Sequence, residues 1–186
     1  MNTHEVTHIL QNIGWIVFID EVGDEYTHFQ LSDLKIQIIY SVKQYSSQQE
    51  FRANLSLTTD TFSTACLKIR RRGGQYSPLI RAFKGLSIEA PYILEGHVRQ
   101  MSDEAINWAQ EQDLNNAMQD HAALPTDAPG ARPVWHLASL AILGEVERLK
   151  SYQTSFESGD RLGFVNYVTK EYIDRAVALA EGRTDF

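Results

Sequence analysis

Apolar residues recur at Val6, Ile9, Leu10 and Ile13, the spacing of one helix face, so residues 3–13 (THEVTHILQNI) predict an amphipathic helix. Thr3 is its expected N-cap and Gly14 its stop. Three runs rich in β-branched and aromatic residues follow, 15–20 (WIVFID), 26–31 (YTHFQL) and 34–42 (LKIQIIYSV), with polar turns between them. They predict an antiparallel meander. The seven-residue apolar run from Ile13 to Ile19 falls far short of the roughly 20 residues that cross a bilayer and reads as a buried strand. Phe51, Ala53, Leu55 and Leu57 alternate with Arg52, Asn54 and Ser56, the period of a fourth, half-buried strand.

Residues 60–72 (DTFSTACLKIRRR) read as a short helix ended by Gly73 and Gly74, and residues 87–94 (SIEAPYIL) as a strand that Pro91 confines to an edge or interrupts. Ser102, Asp103 and Glu104 look like the capped, acidic start of a helix running to about Ala122. The segment 124–133, rich in proline, propagates neither helix nor central strand and marks a boundary. Beyond it, apolar spacing predicts one helix from about Val134 to Tyr152 and another from Asp160 to Glu181, ending before Gly182. The expectation is an α+β protein: an antiparallel sheet of about four to six strands with an N-terminal helix, a mid-chain helix and a C-terminal helical hairpin. Residues 1–123 form the sheet domain, 124–133 the linker and 134–186 the hairpin. A hairpin of that size is too small to stand alone, so it packs on the same core or on a second copy.

Composition narrows the function. The 186 residues carry 17 Lys and Arg against 24 Asp and Glu, a net charge of -7. An acidic chain is repelled by phosphate backbones, which disfavours generic nucleic-acid binding. The single cysteine, Cys66, has no internal partner and suits a reducing compartment, so a cytoplasmic protein is expected. Residues 1–12 lack the basic residues of a secretory signal.

One motif carries possible chemistry. His4-Glu5-Val6-Thr7-His8 matches H-E-x-x-H, in which two histidines one helical turn apart hold zinc and the glutamate is general base, and it is similar to the zincin metalloprotease pattern. That alternative makes the protein a zinc hydrolase with His4 and His8 as ligands and Glu5 activating water. Against it, His4 and His8 project opposite the apolar stripe, no strand fits upstream of His4, and no third ligand is assignable beyond Glu21 and Glu25 at a predicted turn. The expected reading is a solvent-facing helix without metal.

The stretch from Lys68 to Lys84 (KIRRRGGQYSPLIRAFK) holds six basic residues and no acid, leaving the rest of the chain at -13. Lys68, Arg70, Arg71, Arg72, Arg81 and Lys84, with Tyr76 and Phe83 among them, form a candidate surface for an anion or an acidic partner. The acids around Gly23 (Asp20, Glu21, Asp24, Glu25) read as a solvated turn, and Cys66 as a buried, inert thiol.

The order helix, meander, short helix, further strand and capped helix over residues 3–122 resembles the type III secretion chaperone-like α+β fold. The resemblance implies a homodimer that binds protein segments without catalytic residues. It supplies no site positions, and the C-terminal hairpin departs from it. A non-enzymatic protein-binding module, chaperone-like and homodimeric, is therefore the leading expectation.

Overall fold

The computed structural model describes residues 1–19, 25–71, 74 and 76–183. Among them the chain forms seven helices and a six-stranded antiparallel sheet, with a helix first and helices last. The α+β class is as expected. The chain divides into two compact units: Met1–Thr58 with Ile80–Gln112, and Thr59–Leu79 with the chain from Asp113 onward. The turn expected at residues 20–24 lies outside the described residues.

The first unit opens with α1 (Thr3–Asn12), whose cap is Asn2 rather than Thr3. The Asn2 side chain accepts from the Glu5 N–H at 2.9 Å while the Glu5 carboxylate accepts from the Asn2 N–H at 2.7 Å, a reciprocal capping box. Strands β1 (Ile16–Ile19), β2 (Glu25–Leu31), β3 (Leu34–Gln44) and β4 (Gln49–Thr59) lie side by side in chain order. On its far edge β4 pairs with β5 (Ile80–Arg81) at one end and with β6 (Leu86–Ala90) at the other. Gly85 stands where this outer pairing is interrupted: a Cβ there would lie 2.6 Å from the Ala53 carbonyl oxygen, so the approach of backbone to backbone needs glycine.

Helices α1 and α3 (Glu95–Gln110) pack together and against the sheet. Val6, Leu10, Val98, Met101 and Ala105 are buried with Ile36, Ile38, Phe51 and Ala53, one side of the pleat. The Trp15 indole N–H donates to Ser102 Oγ at 2.9 Å, so Ser102 is a buried partner inside α3 and not a cap. The helix begins eight residues earlier than its sequence suggested, with Leu94 at the cap position instead of Ser102, because Val98, Met101, Ala105 and Ala109 run as one apolar stripe through Ser102. It ends at Gln110, and Asp113 caps the separate helix that follows.

The second unit is helical: α2 (Asp60–Arg70), α4 (Leu114–Ala122), α5 (Arg132–Ile142), α6 (Val146–Glu157) and α7 (Lys170–Ala180). Helix α5 is apolar on nearly every side and packs against the other four, as a central helix must. The segment 124–133 joins α4 to α5 within this unit. The C-terminal part holds three helices instead of a two-helix hairpin. Gly144, at φ 73°, separates α5 from α6 where one helix was predicted. Residues 158–169 form turns in place of a first helical stretch, because Arg161 donates to the carbonyls of Val165, Asn166 and Val168 and organises the loop around itself. No helix among the described residues is long and apolar enough to cross a membrane.

Candidate functional site

With α1 and α3 on one face of the sheet, alternation sends the other half of the strand residues outward. On β1 and β2 these are Ile16, Phe18, Tyr26 and His28, and on β3 they include Gln37, Ile39, Ser41 and Lys43. Ile16 is 58% exposed, Ile39 51% and Phe18 41%. Phe18 stacks on Tyr26 at 5.7 Å between ring centres, and the His28 ring lies 4.9 Å from one and 5.3 Å from the other. Strand β1 ends the sheet order, and its inward-side residue Ile19 is exposed as well. The apolar run predicted as a buried strand is thus an exposed edge. Hydrophobicity registered the strand, but a run apolar on both faces has no periodicity to say which side is covered.

A polar ladder crosses the same face. His28 is paired with Gln37, whose side-chain nitrogen lies 3.1 Å from His28 Nε2, and Ser56 Oγ donates to Gln37 Oε1 at 3.3 Å. An amide N–H donating to Nε2 assigns the ring proton to Nδ1, which is neutral histidine. Burial, with the Lys35 charge nearby, pulls the His28 pKa down to about 4.

Next to the ladder a groove of about 540 Å³ is lined by Ile39, Lys43, Arg52, Asn54, Lys84 and their neighbours. The buried Glu50 carboxylate accepts from Arg52 Nε, from the Tyr45 hydroxyl at 3.0 Å and from Ser87 Oγ at 3.1 Å. Those bonds, Arg52 first, hold its pKa below the usual carboxylate range. Lys43 and Lys84 pair with no carboxylate among the described residues. Among the described residues, Lys35, Lys43, Arg52, Arg81 and Lys84 outnumber Glu50 and Glu89 on this face, although the chain as a whole is acidic.

The basic segment singled out from sequence does not belong to one unit. Arg81 points outward on β5 opposite Ser56, Lys84 lines the groove and Phe83 is fully exposed, all in the first unit. Lys68, Arg70, Arg71 and Tyr76 belong to the second, and Arg72 lies outside the described residues. Lys68 lines a different groove of about 650 Å³, with Asp60, Thr64, Ile142 and Leu179.

His4 and His8 are exposed on α1, their rings edge to face at 5.4 Å, and Glu5 is engaged as the capping partner. Among the described residues no three His, Cys, Asp or Glu side chains converge as a metal site, while Glu21 and the Glu25 side chain are not among them. Burial pushes the Cys66 thiol up to about 12, which leaves it without thiolate character at neutral pH. Sequence reasoning missed the outward set Phe18, Tyr26, Ile39, Lys43 and Arg52. The available signal was bulky or charged residues at both parities of 34–44 and 49–59.

The chain belongs to a family of unknown function, DUF6990, which matches residues 2–181. No curated protein and no solved structure matches it.

Proposed function

We propose that this member of the family is a cytoplasmic, non-enzymatic protein-binding module that receives an extended segment of a partner polypeptide on the outward face and β1 edge of its sheet. One observation carries the reading: Ile16, Phe18 and Ile39 are exposed together on a face that no helix of the unit covers, beside a basic groove. Contiguous exposed apolar surface is costly in water and marks interaction sites. An edge strand offers unpaired N–H and C=O groups to an added strand, while side-chain pockets select alternate residues of the incoming segment. The groove charges favour a segment with apolar residues at one parity and acidic residues near its end. Holding such a segment unfolded, as a chaperone does, is the finer form of the same reading.

Affinity capture from cells that make the protein, with the native chain and with a Phe18→Glu, Ile39→Glu variant, tests it. The expected result is a discrete polypeptide retained by the native chain and lost from a variant whose circular dichroism is unchanged. Equal recovery by both chains would overturn it. The β1 edge is also where homodimerisation enters: a dimer in native mass spectrometry that Ile16→Lys dissolves would give the edge to a second copy.

A further inference from the structure

The outer pairing of β4 slips out of step between its two partners. Ser56 stands opposite Arg81 and Ala53 opposite Leu86, so four residues, Ala82 to Gly85, face only Asn54 and Leu55. The Ala82 N–H still donates to the Leu55 carbonyl at 3.0 Å, and Gly85 lies so close to β4 that a Cβ there would come within 3.0 Å of Asn54 Oδ1 as well as 2.6 Å of the Ala53 carbonyl oxygen. With both ends of the bulge held against β4, the residues between them, Phe83 and Lys84, are thrown outward and exposed. A bulge re-aims a side chain. This one brings Lys84 to the groove of about 540 Å³ that Lys43 of β3 and Arg52 of β4 also line, all within the first unit.

Cations from separate stretches of chain thus share one depression, where they repel one another unless an anion lies among them. The protein answers only part of that charge. Arg52 gives its Nε to the Glu50 carboxylate, and its Nη groups bond to no described residue. Lys43 and Lys84 take part in no ion pair among the described residues. Glu89 also acts on Arg52 through its charge, but it accepts from Gln48 at 3.0 Å and does not line the groove. Two neutral side chains of the lining, Ser41 and Asn54, form no hydrogen bond with a described residue either.

We propose that Lys43, Arg52 and Lys84 form a binding site for a phosphate monoester in this groove. Glu50 offsets one of the three positive charges, and those that remain match the charge of about -2 that a phosphate monoester carries near neutral pH. The Nη pair of Arg52 suits two oxygens of a tetrahedral anion at once, the lysine ammoniums act on it as point charges, and Ser41 and Asn54 add neutral donors. A carboxylate, with one charge and two oxygens, satisfies less of this set. Because Ile39 belongs both to the groove and to the exposed apolar face, the phosphoryl group can come from a phosphorylated residue of the polypeptide proposed above or from a free phosphate ester. The first source rests on that reading of the sheet face; the site itself does not.

Amide NMR of the isotope-labelled full chain, titrated with O-phosphoserine or inorganic phosphate against sodium chloride and acetate at matched ionic strength, reads the site directly. The Asn54, Lys84 and Gly85 amides should shift saturably with both phosphates and not with the controls. A Lys43→Gln, Lys84→Gln variant loses charges that pair with nothing in the protein, so its Tm should be unchanged while phosphoserine affinity falls by about tenfold or more. Phe18→Glu lies outside the groove lining and should bind phosphoserine as the native chain does, so a failure of the sheet-face reading in that variant leaves this result standing. Equal shifts with the phosphates and the controls, shifts centred away from the groove, or an undiminished phosphoserine affinity in the double variant would overturn the proposal.

Discussion

At single residues, two buried histidines make stability depend on pH. His136 is fully buried: the Tyr152 hydroxyl, itself accepting from Arg148 Nε at 2.9 Å, lies 3.2 Å from its Nε2, and the His121 carbonyl lies 3.2 Å from its Nδ1. Burial before all else lowers its pKa, as it lowers that of His28 to about 4. Because the unfolded chain takes up these protons first, the stability tied to the neutral rings is whole above the unfolded value of about 6.5 and is lost as the pH falls towards 4. The urea midpoint should hold steady above neutrality and decline through that window, with His28→Gln flattening part of the decline. A midpoint that does not move between these values would contradict the assignment. Gly85 is a second test at this scale. Gly85→Ala sets a methyl 2.6 Å from backbone, and urea unfolding should show a loss of about 1–3 kcal/mol.

Among the elements, α1 and β4 followed from periodicity, and β1 to β3 from runs of β-branched and aromatic residues set between polar turns, each within a residue or two. Where prediction failed, a local cue competed with a longer pattern. Ser102-Asp103-Glu104 imitates a helix start inside the stripe of α3, and Gly144 splits a helix whose apolar spacing continues across it. The two-residue β5 is too short for any pattern to register. In α1 the cap prediction was off by one position, and its consequence is measurable. Asn2→Ala removes the bond to the Glu5 N–H and should cost about 1 kcal/mol in chemical denaturation, whereas Thr3→Ala should cost less than half of that.

For the molecule as a whole, the class and the acidic balance could be read from the chain, while the candidate site could not. The basic segment drew attention by its density in sequence, yet density along a chain is not density on a surface: Arg81 and Lys84 belong to one unit, Arg70 and Arg71 to the other. The groove residues Lys43 and Arg52 lie in segments of unremarkable composition and meet their neighbours only through strand register. A run such as Ile16–Ile19 reads the same whether it is sealed in a core or left open for a partner, and that difference is the functional one. It is best tested by placing a photo-crosslinking amino acid at Ile39 or, as a control, at the exposed His8 of α1, and irradiating cells that make the protein. A binding face on the sheet predicts one discrete polypeptide adduct from Ile39 and none from His8. No adduct from Ile39, or the same adducts from both positions, would contradict it.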